Sequence, residues 1–150
     1  MSVLDSDLAA LLEPLPGEQP CGPEIDYDPD FIALERLLLG TPERQYGDTI
    51  IPAEEPDFSQ VLQLAGQLLG RSRDLRLAIM LMRGLARTRG AAGALQGLHL
   101  VRGLLERHGD LLHPQLEIDG ERDPLPRANA LAVLAASEGL LGDLRELKLP

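Results

Sequence analysis

The sequence predicts an all-α domain, a compact bundle of about five to six helices with irregular loops rich in proline and glycine near its N-terminus. Aliphatic residues supply nearly all of the 44% apolar content, and only two Tyr, two Phe and no Trp occur. Abundant Leu and Ala with so few aromatics are typical of helices rather than of a β-sandwich. The apolar share excludes a disordered chain, and 150 residues suit a single domain over residues 1–150.

The N-terminal third combines short helical patterns with long loops. Leucines at helical spacing predict a short helix over residues 1–12. Residues 13–24 hold four prolines and two glycines, which predicts an irregular loop. Residues 41–56 carry no useful apolar spacing and are also predicted to form a loop.

The second helix is marked at both ends. Asp28 is a good N-cap, and Pro29 fits the first helical position. Tyr27 is expected to pack on Ile32 as a hydrophobic staple. Gly40 is expected to end the helix, because glycine adopts the C-terminal cap conformation readily.

Two further helices follow in the middle of the chain. The third is predicted from near Pro56 to about Gly70. Ser72 is expected to cap the fourth helix, which extends to about Arg89. Gly90 then breaks it.

The C-terminal third is predicted to hold two helices. The fifth covers roughly residues 91–108 and must stop before His113-Pro114, because the residue before a proline disfavours the helical conformation. Residues 118–124 form a turn, and Asp123 caps a sixth helix at Pro124. This last helix is expected to continue to the end of the chain.

The fifth helix is apolar on two sides, which is typical of a helix at the centre of a bundle. Glycine in a helix costs roughly 1 kcal/mol relative to alanine. Two of its glycines are therefore expected to permit close approach of a neighbouring helix, although a chance occurrence remains the alternative. One face comprises Ala94, Leu98, Val101 and Leu105, and the other comprises Gly93, Gly97, Leu100 and Leu104.

Charge is distributed unevenly along a chain whose formal net charge is −10. Residues 1–57 hold fourteen acidic residues and two arginines, whereas residues 71–107 hold eight arginines and two acidic residues. The negative net charge argues against general nucleic-acid binding, because the phosphates of a nucleic acid would repel an acidic protein. The basic segment is either a local contact site or the partner of the acidic N-terminal third, and the second interpretation is slightly favoured.

Four arginines of the fourth helix fall within one narrow arc at 100° per residue, opposite an aliphatic face. Met80 lies within this arc and would supply apolar affinity that exposed ion pairs alone do not. If the arc binds an acidic partner, reversing the charges of Arg76 and Arg83 should weaken binding without unfolding; loss of fold would favour internal pairing. The candidate protein-contact residues, named here the arginine stripe, are Arg73, Arg76, Met80, Arg83 and Arg87.

No motif predicts catalysis, a cofactor or a metal site. The three histidines do not make the i, i+4 pair of a helical zinc site. The acidic residues after Ile25 lack the glycine and glutamate that a calcium loop requires. A hydrolase using His108, Asp110 and His113 is a remote alternative, because the sequence shows neither a pocket nor a nucleophile motif. We therefore predict a non-enzymatic protein.

Cellular context is only broadly indicated. A single cysteine, Cys21, permits no internal disulfide and fits a reducing cytoplasm. The N-terminus does not resemble a signal peptide, and no segment is long and apolar enough to span a membrane. The chain stops directly after a helical pattern without a cap, which predicts that it is part of a longer protein.

Four stretches, in this order, resemble one family. Together they resemble the ImpA N-terminal domain of TssA-type proteins of the bacterial type VI secretion system. The resemblance covers most of the chain, although the family usually carries Trp where Phe58 and Gly109 stand here. The stretches are "PCGPEIDYDPDFIALE" (20–35), "SRDLRLAIMLMRGLARTRGAAGALQGLHLVRGLLE" (72–106), "HGDLLHPQLE" (108–117) and "RANALAVL" (127–134).

The resemblance implies a helical domain at the N-terminus of a cytoplasmic assembly protein. Such proteins organise baseplate, tail tube and sheath components through protein contacts, and some are linked to the membrane complex at the inner membrane. Their C-terminal regions form rings, and no such region is present here. The alternative is a structural or self-association domain of a related protein that anchors or terminates the sheath.

Overall fold

The structure, a computed structural model, describes residues 8–136 and 139–147. The fold is mostly helical, and two small antiparallel hairpins correct the all-α prediction. Residues 8–11 are helical. The helices that follow are α1 (Pro29–Leu39), α2 (Phe58–Leu69), α3 (Leu75–His108), α4 (Leu125–Ala132) and α5 (Leu140–Arg145), with a 3₁₀ turn at Gly109–Leu111. The hairpins are β1 (Arg44–Tyr46) with β2 (Thr49–Ile51), and β3 (Glu117–Ile118) with β4 (Glu121–Arg122).

The caps of α1 form as predicted, and α2 begins and ends within two residues of its predicted bounds. The Asp28 side chain accepts a hydrogen bond from the Asp30 N–H, and Gly40 ends α1 with a φ of 65°. Asp57 caps α2 by accepting from the N–H groups of Ser59 and Gln60. Each aspartate satisfies donors that the first turn of a helix leaves unpaired.

Two local predictions near these helices are wrong. Tyr27 is 89% exposed, so it forms no staple with Ile32. The N-cap of α3 is Asp74 rather than Ser72, and its side chain accepts from the Arg76 N–H. Ser72 is instead buried, with its hydroxyl donating to the Pro23 carbonyl at 2.8 Å. The capping oxygen comes from Asp74 because α3 begins at Leu75, two residues later than Ser72 would require.

Helix α3 is two helical segments that fold back on each other at Gly90. The Gly90 backbone has φ 68° and ψ −148°, so the predicted break is confirmed. A side chain at Gly97 would place Cβ 2.7 Å from the Met82 Cα, and one at Gly93 would place it 2.7 Å from the Leu85 carbonyl carbon. Later residues of one segment thus meet earlier residues of the other, which makes the pair antiparallel. The predicted close approach at both glycines is confirmed.

The hairpins occupy two segments predicted as a loop and a turn. Strands β1 and β2 pair from Arg44↔Ile51 to Tyr46↔Thr49, and strands β3 and β4 are two residues each. Strands this short show no readable alternation, which is why the sequence did not reveal them. The turn of the second hairpin is Asp119 and Gly120, both with positive φ, as a two-residue hairpin turn requires.

The predicted last helix is divided. Helix α4 ends at Ala132, and α5 begins at Leu140, so one continuous helix from Pro124 is wrong. The Asp123 carboxylate accepts from the Leu125 N–H at 3.1 Å, although the N-cap position of α4 is Pro124 rather than Asp123. The predicted helical residues 1–7 and 148–150 lie outside the described part.

The core lies between α2 and the two segments of α3. Buried side chains of α2 are Val61, Ala65, Leu68 and Leu69. Both predicted faces of the second α3 segment contribute, with Ala94, Leu100, Val101 and Leu104 buried. Leu98 departs from its predicted face, because it is 48% exposed.

Candidate functional site

Arg73, the first member of the arginine stripe, is buried within the fold. Its guanidinium donates to the Glu13 carbonyl at 2.9 Å, to the Ala10 carbonyl at 3.3 Å and to the Leu69 carbonyl. Burial lowers its pKa below the ordinary arginine value. With 5% exposure it offers no surface to a partner and instead ties the N-terminal segment to the end of α2.

Arg76 is held by two carboxylates and an aromatic ring. It pairs with Asp74 and with Asp26, each at 2.7 Å, and its guanidinium lies 4.6 Å from the centre of the Phe31 ring. Burial alone would lower the pKa of Arg76, but hydrogen bonds from the guanidinium to both carboxylates raise it above its ordinary value. The side chain is 24% exposed, so part of it stays at the surface.

Arg83 and Arg87 share one fully buried carboxylate. Arg83 Nε donates to Asp143 at 2.7 Å and Arg87 Nε donates to the other oxygen at 2.8 Å. Arg87 also lies 5.0 Å from the centre of the Phe58 ring. The two arginines therefore anchor α5 to the first segment of α3.

Most arginines in the basic segment are thus neutralised within the chain. Charge reversal at Arg83 would place a second carboxylate beside Asp143, so we expect the protein to unfold. Weaker binding of a partner by such a variant would therefore not show that Arg83 contacts that partner. Docking of a partner through these arginines stays a prediction. Carboxylates of the N-terminal third that pair with this segment are Glu13, Asp26, Asp28, Asp30 and Glu55.

Three consecutive carbonyl groups of the Pro-Cys-Gly loop are bound by distant parts of the chain. The Cys21 carbonyl accepts from the Arg73 N–H at 2.7 Å, and the Gly22 carbonyl accepts from His113 Nε2 at 2.8 Å. The Pro23 carbonyl accepts from Ser72. Three of the four stretches that carry the family resemblance therefore meet at these carbonyl groups of Cys21, Gly22 and Pro23, a contact named here the carbonyl joint.

The remaining resemblance stretch reaches the same joint through Arg127. Its guanidinium donates to the carbonyl groups of Pro114, Gly109 and Leu112, which surround His113. The His113 backbone in turn pairs in parallel with Asp74, through a 2.7 Å bond from the Leu75 N–H. These bonds satisfy buried polar groups that would otherwise destabilise the fold.

An open apolar groove of about 730 Å³ lies beside the carbonyl joint. It is bounded by α1, the first segment of α3, α4 and strand β3. Its volume is in the range of ligand-sized sites, and its lining is mostly aliphatic. Apolar lining residues are Leu38, Leu39, Ile79, Met80, Pro114, Ile118, Pro126, Ala130 and Val133.

Three of the five predicted contact residues line this groove: Arg76, Met80 and Arg83. Arg73 and Arg87 lie elsewhere, since Arg73 is buried and Arg87 faces Asp143 on another side. The other apolar residues that line the groove were not predicted from the sequence. The consecutive leucines at residues 37–39 indicate such a surface, because three adjacent residues of a helix cannot all lie on one buried face.

Two of the three histidines and the cysteine are buried or partly buried in structural contacts. His108 Nε2 donates to the Leu12 carbonyl at 3.0 Å, as His113 does to Gly22. Cys21 is 2% exposed, and burial raises the pKa of its thiol, which disfavours the reactive thiolate. Within residues 8–136 and 139–147, no three His, Cys, Asp or Glu side chains are grouped as metal ligands.

A membrane-spanning helix is also absent from the described part of the chain, where every helix is too short or too polar to cross a bilayer.

Comparisons with known proteins agree on one family. The family model described as ImpA, N-terminal, type VI secretion system matches residues 12–136. The type VI secretion system component TssA1 of Pseudomonas aeruginosa is 43% identical over 130 residues, covering 87% of this chain and 38% of that protein. The solved N-terminal domain of the TssA component from Burkholderia cenocepacia, which includes the conserved ImpA_N region, superposes with a TM-score of 0.67. It is 32% identical, covering 85% of this chain and 46% of that one.

Proposed function

Because the chain belongs to the ImpA N-terminal family of the type VI secretion system, we propose that it is a non-enzymatic docking module of a TssA-type component. In this role it helps to organise baseplate, tail tube and sheath assembly through protein contacts in the cytoplasm. Recruitment to the inner-membrane-associated complex belongs to the same proposal. The chain spans 38% of the length of its TssA1 relative, so ring formation would fall to other parts of a longer protein.

The open groove is the observation that carries this proposal. Large apolar side chains that stay exposed mark contact surfaces when they cluster, and Leu39 and Ile118 are 82% and 53% exposed at the groove. Met80 on α3 lines the same groove and is only partly buried. A partner that covers the groove would remove these apolar atoms from water, which is the main driving force of association.

Quantitative pull-downs test the docking function. The 150-residue chain is immobilised and offered each purified tail, baseplate and membrane-complex component encoded with it, at low and high salt. Met80→Ala truncates the groove floor, and Leu98→Ala is the matched control on a half-exposed site of α3 outside the groove. We expect one component to be captured, about tenfold less well by Met80→Ala and normally by Leu98→Ala.

Other outcomes would contradict the proposal. If both variants capture the component equally well, the groove does not take part in recognition. If no component is captured, the proposed docking function is wrong. Self-association of the chain that Met80→Ala weakens would instead support the alternative, a self-association domain in a sheath-anchoring or sheath-terminating protein.

A further inference from the structure

We propose that the groove receives an amphipathic α-helix of a partner protein, with lysine or arginine side chains beside its apolar face. This inference rests on the proposed docking function and adds the chemistry of the partner. It follows from the shape of the groove walls, from the short strand at its edge and from the charges on its rim.

Three helical faces line the groove, and each presents side chains at the spacing of successive turns. A surface of this kind has ridges and grooves into which the side chains of another helix fit. A short amphipathic helix would bind through apolar residues at i, i+3, i+4 and i+7. The faces are Glu35, Leu38 and Leu39 on α1; Arg76, Ile79, Met80 and Arg83 on α3; and Pro126, Asn129 and Ala130 on α4, with Val133 directly after its end.

An extended peptide fits the groove less well. Binding by strand addition requires a sheet edge with free backbone groups along several residues. In the described part of the chain, the strand residue that lines the groove is Ile118, in the two-residue strand β3. The rest of the lining consists of helix side chains and of loop residues outside the strands, and it offers no strand edge of several residues.

The rim of the groove is acidic. Glu24, Asp26 and Glu35 lie on it, and among the described residues Glu35 has no ion-pair partner. Of these three carboxylates, the arginines of the lining neutralise Asp26 and leave Glu24 and Glu35 without a counter-ion among the described residues. Arg76 is bound to Asp26 and to buried Asp74, and Arg83 is bound to buried Asp143. The groove therefore attracts cationic side chains beside an apolar segment.

The same charge argument disfavours occupants from this chain. A second copy carries a formal net charge of −10 and would be repelled by an acidic rim. Residues 1–7 include two aspartates and no basic residue. Residues 148–150 include one lysine but are fewer than the 3.6 residues of one helical turn.

Peptide binding to the 150-residue chain tests the inference. The probes are overlapping synthetic 20-residue peptides that cover every type VI secretion component encoded with the chain, titrated at low salt. Each bound peptide is remade with its Lys and Arg replaced by Glu. Glu35→Lys is compared with Glu43→Lys, because both sites are exposed and only Glu35 lies on the groove. Met80→Ala and Leu98→Ala are titrated in parallel, and amide chemical shifts locate the bound peptide.

We expect the bound peptides to share an amphipathic pattern with basic flanks and to become helical on binding. Glu35→Lys should weaken binding about five- to tenfold, Glu43→Lys should leave it unchanged, and the Glu-substituted peptides should not bind. Shift changes should cluster at groove residues such as Met80 and Ala130.

The outcomes separate the inference from the docking function. If Met80→Ala weakens binding but Glu35→Lys does not, the inference is overturned and the groove remains a docking site. The same holds if the bound peptides are acidic. A bound peptide that stays extended would likewise overturn it. Binding that is indifferent to Met80→Ala would overturn both. If no peptide binds but the pull-downs capture a component, the inference is overturned and the docking function stands.

Discussion

His113 donates a hydrogen bond from Nε2 to the carbonyl oxygen of Gly22 at 2.8 Å, across 91 residues of sequence. This bond connects the Pro-Cys-Gly loop with the segment that follows α3. Since His113 is 6% exposed, water cannot readily replace the bond. The histidine that suggested a remote hydrolase alternative therefore has a structural partner at the carbonyl joint.

We expect His113→Ala to lower the free energy of unfolding by about 2 kcal/mol, because it leaves the Gly22 carbonyl without its donor and opens a small cavity. The control is His99→Ala, at an exposed site of α3, which should change stability by less than about 0.5 kcal/mol. Urea denaturation followed by circular dichroism measures both. Equal midpoints for the two variants would show that the joint does not contribute to stability.

Substitution of glycine by alanine is expected to have opposite effects at Gly97, which contacts Met82, and at Gly66. Gly97→Ala should destabilise the protein by about 2 kcal/mol, because its Cβ would lie 2.7 Å from the Met82 Cα. Gly66→Ala in α2 meets no atom within 4 Å and should stabilise by up to about 1 kcal/mol through helix propensity. Thermal melting compares the two. Stabilisation by Gly97→Ala would contradict the close antiparallel packing within α3.

Removing the negative charge of buried Asp143 is expected to lower the free energy of unfolding strongly. Asp143→Asn should cost about 3 kcal/mol, because Arg83 and Arg87, only 13% and 20% exposed, would lose their shared counter-ion. The control is Glu106→Gln, whose pairing with Arg102 is exposed and should contribute less than about 1 kcal/mol. Guanidinium denaturation gives both values. A loss below 1 kcal/mol for Asp143→Asn would indicate that α5 does not depend on this pairing.

Asp28 predicts a loss of stability in acid. Hydrogen bonds from Arg71 lower the pKa of Asp28 from 3.8 to about 2. Because the folded state holds the proton less tightly than the unfolded state, the stabilisation is present above about pH 4 and is lost as the pH falls towards about 2. Asp28→Asn should therefore be less stable than the parent chain at pH 7, and the difference should shrink between these two values.

Urea midpoints at pH 7, 4, 3 and 2 measure this difference. The control is Glu43→Gln, at an exposed site without an ion pair among the described residues, which should show no such gap. A gap for Asp28→Asn that stays constant down to pH 2 would contradict the assignment of the low pKa to this pairing.

Much of the helical framework follows from local sequence. Asp28 and Gly40 mark the ends of α1, and Gly90 marks the break in α3, because caps and breaks depend on a few adjacent residues. The close-approach role of Gly97 was also predictable, since glycine inside a helix is costly unless packing needs it. The family resemblance likewise came from ordered local stretches.

Tertiary structure decided what those residues face. Periodicity placed Arg76, Arg83 and Arg87 on one side of a helix, but their partners include Asp26 and Asp143, which lie many residues away. Asp74 caps α3, and Ser72, which was expected to do so, instead donates to a carbonyl 49 residues earlier. The groove has the same origin, because its walls come from α1, α3, α4 and β3. The spacing of residues along one helix defines a face, whereas the partner of that face depends on how distant segments pack.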